Sequence, residues 1–101
     1  MRIRWTDPAE TDLFEICEYI ARDNPAAAER VGRRLLSAVD SLAAQPRLGR
    51  PGRVAGTREL VIPRLPYIAI YRITEAAHSP ASELEVLRVL HGARRRPAKG
   101  A

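Results

Sequence analysis

Arginine dominates the chemistry open to this chain. Arg58, Arg72, Arg88, Arg94, Arg95 and Arg96 all fall in its second half, within or just after segments that read as strands. Antiparallel neighbours would bring several of them together, and grouped guanidinia clamp phosphates or carboxylates through paired hydrogen bonds. His91 ends the last of those segments beside the arginine run, where an imidazole could pass a proton. A strand-end histidine is more often a structural hydrogen-bonding group. His78 sits in a turn and reads as solvated. Cys17 falls on an apolar stripe and reads as core, with nothing cationic nearby in sequence to activate it. There is no glycine-rich phosphate loop, zinc-ligand spacing, HExxH or Ser/His/Asp cue, so no cofactor or metal is expected.

These groups are unevenly placed. The net charge is +5, yet residues 1–45 carry six Arg against eight Asp and Glu, whereas residues 46–101 carry ten Arg and one Lys against four Glu. A basic second half draws polyanions, whether nucleic acid or an acidic protein segment, although sixteen arginines beside sixteen alanines also fit GC-rich coding. With 101 residues and 46% hydrophobic content, one domain is expected over residues 1–92, its core thin with five aromatic side chains. Residues 93–101 read as a loosely held basic tail. A single cysteine makes no internal disulfide. No run approaches a membrane span or a leader peptide, so a cytoplasmic protein is expected.

Helices and strands must position the charged groups. Arg2 to Thr6 alternates as a first strand, and Asp7-Pro8-Ala9-Glu10 then reads as a helix start, with Asp7 as cap and Glu10 reaching back to it. Leu13, Ile16, Cys17 and Ile20 form the buried stripe, while Asp12, Glu15 and Glu18 lie away from it. Asn24-Pro25 opens a second helix that runs to about Ala44, with Ala28, Val31, Leu35, Val39 and Leu42 on one face. Gly32, in its middle, marks a close helix crossing. Residues 46–56 form a basic loop without a period. Three strands follow, at residues 57–62, 67–73 and 83–91, and short connections favour an antiparallel meander. In the middle strand Ile68 and Ile70 are expected to meet the helices, leaving Tyr67 and Tyr71 on the open face.

Several blocks together resemble a known family. Trp5-Thr6-Asp7-Pro8-Ala9-Glu10 and Tyr19 to Ala28 are similar to the helical hairpin of ParE-like toxins of the RelE/ParE superfamily. Gly49 to Arg53, Gly56 to Leu60, Pro66-Tyr67, Tyr71-Arg72 and Val89 to Arg94 look like its later signature blocks, in order and at the expected separations. The resemblance spans residues 3 to about 97. It implies an α+β fold in the order β-α-α-β-β-β, a helical hairpin packed on one face of a small antiparallel sheet. It also implies the toxin role in a type II toxin-antitoxin system, neutralisation by a ParD-like antitoxin, and DNA gyrase as target.

RelE-like relatives share the fold but cut messenger RNA on the ribosome. That chemistry needs a base for the 2′-hydroxyl, cations for the phosphate and an acid for the leaving oxygen. Against the resemblance, an arginine of the RelE-like active site falls at Tyr67, a second is kept near Arg94, and the tyrosine of the RelE-like C-terminus has no counterpart. If the chain were a nuclease, His91, Arg94 and Arg58 would be the set. Otherwise Tyr67, Tyr71, Arg58, Arg72, Arg88, Arg94, Arg95 and Arg96 are expected to bind antitoxin or target, with no membrane involved and direct nucleic-acid binding left open. A domain that still binds antitoxin but is no longer toxic is the third reading. Many ParE-like members have an aromatic residue where Arg96 stands here.

Overall fold

Thr6, one residue before the expected cap, starts the first helix. Its backbone is extended, and its Oγ1 accepts from the Ala9 amide at 3.3 Å while donating to the Val86 carbonyl at 2.9 Å. The same hydroxyl therefore caps the helix and ties it to the last strand, which Asp7 cannot do from inside the first turn. Asp7 and Glu10 still sit at the positive end of the helix dipole.

The computed structural model describes residues 1–75 and 82–92. Its elements are β1 (Arg2–Trp5), α1 (Asp7–Ala21), α2 (Pro25–Asp40), a 3-10 turn (Ser41–Ala43), β2 (Arg50–Pro51), β3 (Arg58–Val61), β4 (Tyr67–Glu75) and β5 (Ser82–His91). They build two helices on a five-stranded sheet in the order β1-β5-β4-β3-β2. Strands β3 to β5 form the expected antiparallel meander, β2 extends it antiparallel where a loop was expected, and β1 runs parallel to β5, so the sheet is mixed and not antiparallel throughout. A parallel neighbour requires a long connection, and here the whole hairpin and meander supply it. Inside the basic loop, Arg50 and Pro51 pair with Glu59 and Arg58 to make the far edge.

The core lies between helices and sheet. Leu35, Val39 and Leu42 descend from α2 and the 3-10 turn onto Leu60, Ile62, Ala69, Tyr71, Leu84, Val86 and Val89, with Ala9 from α1. Alternation along β4 holds, but its two faces are exchanged relative to expectation. Ala69 pairs with buried Leu60 and Val89 under the helices, and Tyr67, Tyr71 and Ile73 share that side; Ile68 and Ile70 take the other. A period of two defines two faces without saying which is buried. Tyr71 can be fully buried because its hydroxyl is satisfied, donating to the Pro46 carbonyl at 2.6 Å and accepting from the Gly49 amide at 2.9 Å. A Cβ on Gly49 would lie 2.7 Å from that hydroxyl, so only glycine fits there.

Gly32 does mark a helix crossing, since a Cβ there would lie 3.2 Å from Cys17 Sγ. Cys17 is half-buried at this crossing and not in the core, and burial pushes its thiol pKa up. Asp12, expected on the solvent side, is buried.

Candidate functional site

Arg58, Arg72 and Arg88, the three of the six arginines among the described residues, do not form one clamp. Arg72 lies on the sheet face away from the helices and donates from Nε to Glu85 at 2.7 Å, and Arg4 from β1 joins the same carboxylate. Glu83 lies within 3.8 Å of Arg2 and 3.7 Å of Arg4. On that face the guanidinia are thus already matched by carboxylates, of which Glu85 is only 7% exposed. Arg58 turns to the loop, donating to the Gly49 carbonyl at 2.6 Å. Arg88 turns the opposite way, toward α1. A bulge at Leu87, where Ile70 opposes Arg88 and Tyr71 opposes Val86, lets it reach Asp12 with two hydrogen bonds of 2.6 and 2.9 Å. Asp12 also accepts from the Val89 amide at 2.9 Å. The hydrogen bonding to Asp12 raises the Arg88 pKa; desolvation opposes it, and the weaker attractions of the Asp12 and Glu15 charges add to the rise.

Sequence reasoning missed Asp12 because the helical stripe was drawn from apolar residues alone. A carboxylate one turn before Ile16, on the sheet side of the helix, was the available signal. It likewise missed Glu59 and Glu85, both buried: Glu59 accepts from the Arg53 amide at 3.2 Å and lies 3.7 Å from Arg50.

His91 and Tyr67 do meet, directly opposite in β5 and β4, with ring centroids 5.6 Å apart and nearly perpendicular. Arg58 is remote from them. Its partner is Tyr71, four residues along β4 and one strand farther across, which puts the two backbones roughly 16 Å apart at ~3.3 Å per residue and ~4.8 Å per strand. Arg94, Arg95 and Arg96 lie outside the described residues, as does His78. Of the expected surface residues, Tyr71 is corrected outright, since it is fully buried, and Tyr67 is half-buried.

Two concave features flank α1. On its outer side, a groove of about 510 Å³ runs between the helices, floored by Cys17, Ala21, Ala28 and Gly32 and walled by Phe14 and Leu36. Phe14 is 64% and Leu36 43% exposed, and both line this one groove. Ala28, Gly32 and Leu36 fall four apart, which brings them onto one line of α2. On its inner side, a cleft of about 310 Å³ is lined by Asp12, Glu15, Ile16 and Tyr19 from α1 and by Tyr67, Val89, Leu90 and His91 from the sheet. Among the described residues no cluster of His, Cys, Asp and Glu could hold a metal ion, and no helix is long and apolar enough to cross a membrane.

Comparison with known proteins places this architecture. The Sinorhizobium fredii (strain NGR234) protein Y4kP, which carries a toxin designation, is 49% identical over 90 residues, covering 89% of this chain and 86% of that protein. Toxin RelE2 of Caulobacter vibrioides is 37% identical over 93 residues, covering 92% and 97%. Among solved structures, a chain of the chromosomal ParDE toxin-antitoxin system from P. aeruginosa superposes with a TM-score of 0.74 at 29% identity, covering 90% of this chain and 95% of that one. A YoeB/ParE toxin from Agrobacterium tumefaciens shares the fold, with a TM-score of 0.58 at 18% identity over 90% and 98%. The family model for the ParE toxin of the type II toxin-antitoxin system parDE matches residues 3–96, and the chain belongs to that family.

Proposed function

We propose that this chain stops growth by inhibiting DNA gyrase and is held inactive by a ParD-like antitoxin whose amphipathic helix seats in the groove between α1 and α2. The groove carries the antitoxin reading: it is almost wholly apolar and is floored by small residues that let another backbone approach. For the target, the reading rests on what a nuclease would lack. Arg58 is remote from His91, Tyr67 stands where the nuclease pattern has arginine, and the guanidinia of Arg4 and Arg72 are engaged by Glu85. Arg94, Arg95 and Arg96 supply target contacts through their charge alone. A cytoplasmic location follows from both partners.

The name of the Caulobacter relative favours a second reading, ribosome-dependent cleavage of messenger RNA. Purified chain added to gyrase and, separately, to translating ribosomes tells the two apart. Supercoiling is expected to fall, or cleaved DNA complexes to accumulate, with messenger RNA intact. Codon-specific cuts that disappear in His91→Ala, with gyrase unaffected, would establish the nuclease. No effect in either assay, with antitoxin binding retained, would leave a non-toxic antitoxin-binding domain.

A further inference from the structure

The turn between β3 and β4 holds an arginine where local chemistry prefers glycine. The Leu65 amide donates to the Ile62 carbonyl at 3.2 Å, closing a type II turn with Pro63 and Arg64 at its centre, and Arg64 has φ 64°. A β-carbon in that left-handed region is strained, and glycine would avoid it. Strain kept at an exposed position points to a use for the side chain. On α2, Arg30 and Arg34 lie one turn apart and repel, a second local cost, while Glu29 is spent on Arg33 at 3.0 Å. Between helix and turn is a cavity of about 440 Å³, lined by Arg34, Ser37 and Ala38 of α2 and by Ile62, Pro63 and Arg64. No carboxylate lines it; Asp40, three residues past Ser37, is not among the lining residues. Arg2, Arg4, Arg33, Arg50, Arg72 and Arg88 all meet carboxylates, whereas the Arg34 and Arg64 side chains make no ion pair or hydrogen bond among the described residues.

We infer that this cavity seats a phosphate of a nucleic-acid backbone between Arg34 of the helix and Arg64 of the turn. Guanidinia match phosphate oxygens through paired hydrogen bonds, and the exposed Ser37 hydroxyl adds a donor. Arg30, about 6 Å back along the helix, extends the same stripe toward a neighbouring phosphate. An acidic protein segment fits less well, because a protein partner needs an apolar anchor: no large apolar side chain lining this cavity is exposed, and Ile62 is 1% exposed. A phosphate backbone requires only charge and donors. The inference goes beyond gyrase inhibition and antitoxin capture and depends on neither.

The probe is a short fluorescein-labelled DNA duplex of mixed sequence, titrated with the full chain and followed by anisotropy over a range of salt. Arg34→Gln and Arg64→Gly are each expected to weaken binding about 5-fold at about 0.1 M salt and to lower the slope of log affinity against log salt by about 1, the counterion release of one phosphate contact. Arg22→Gln removes a likewise exposed arginine at the end of α1 and is expected to change affinity by less than about 2-fold. Arg64→Gly also relieves the left-handed strain, so it is expected to melt at or above the parent; a lower melting point would make Arg64 structural and overturn the inference. An RNA duplex offers the same backbone and tells which nucleic acid is preferred, with the arginine dependence expected in both. Variants that bind the duplex like the parent, or a loss from Arg22→Gln as large as from Arg34→Gln, would also overturn it. So would a labelled glutamate-rich peptide that binds as tightly as the duplex and loses as much in the same variants, which would assign the cavity to an acidic protein. Neither gyrase nor antitoxin enters these titrations, so the two readings fail separately.

Discussion

Asp12 joins three parts of the molecule: its helix, the Arg88 side chain and the backbone of β5 just past the bulge. Its side chain is 10% exposed and that of Arg88 48%, so the pair is half-screened on one side only. Asp12→Asn is therefore expected to cost about 2–3 kcal/mol, short of the full penalty for breaking a fully buried pair. Urea denaturation measures it, with Glu15→Gln expected within about 0.5 kcal/mol of the parent. Tyr71→Phe keeps the ring in the core but leaves the Gly49 amide and the Pro46 carbonyl without their shared partner. A loss of about 1–2 kcal/mol is expected, seen as a melting point lower by about 4–8 °C per kcal/mol. If Tyr71→Phe melts with the parent, the hydroxyl does not hold the loop.

Between elements, the helix crossing sets the groove. Phe14→Glu and Leu36→Glu change exposed side chains, so folding should be retained while antitoxin affinity falls more than about 10-fold; isothermal titration gives both affinity and active fraction. Undiminished binding by both variants would remove the groove from the interface. Cys17 offers a second readout because it lines the same floor. Burial raises its thiol pKa, so less thiolate is present at neutral pH than for a free cysteine, and alkylation by iodoacetamide is expected to be slower and to accelerate as pH rises. A bound antitoxin should slow it further, and an unchanged rate in the complex would show that the partner binds elsewhere.

At the scale of the whole chain, a small core, with eleven buried hydrophobic residues in its contiguous cluster among the described residues, leaves limited stability in reserve. An antitoxin that binds only the folded toxin adds about 2.7 kcal/mol at a free concentration 100 times its dissociation constant. Thermal melting with and without saturating antitoxin should therefore differ by more than about 10 °C; coincident curves would contradict this. Reversing the charges at Arg94, Arg95 and Arg96 together is expected to weaken target or antitoxin binding and leave the melting point of the free chain in place. Loss of folding in that variant would make the segment structural.

Periodicity and punctuation in the sequence determined the elements: the Asn24 cap followed by Pro25, the apolar line of α2 through Leu35 and Val39, and three closely connected strands are all local properties with local causes. The succession of family blocks determined the fold they build, because such blocks mark positions in an architecture already established in relatives. What the tertiary structure decided were choices that local chemistry leaves equal. Either face of β4 satisfies a period of two, and Tyr71 went inward because the loop supplied partners for its hydroxyl. The strand β1 alternates equally well in either direction, and only its place beside β5 made it parallel. The arginines, close in sequence pattern, were drawn apart by carboxylates distant in the chain, Asp12 to one side of the sheet and Glu85 to the other, since a buried carboxylate requires a cation and takes the one that folding brings within reach.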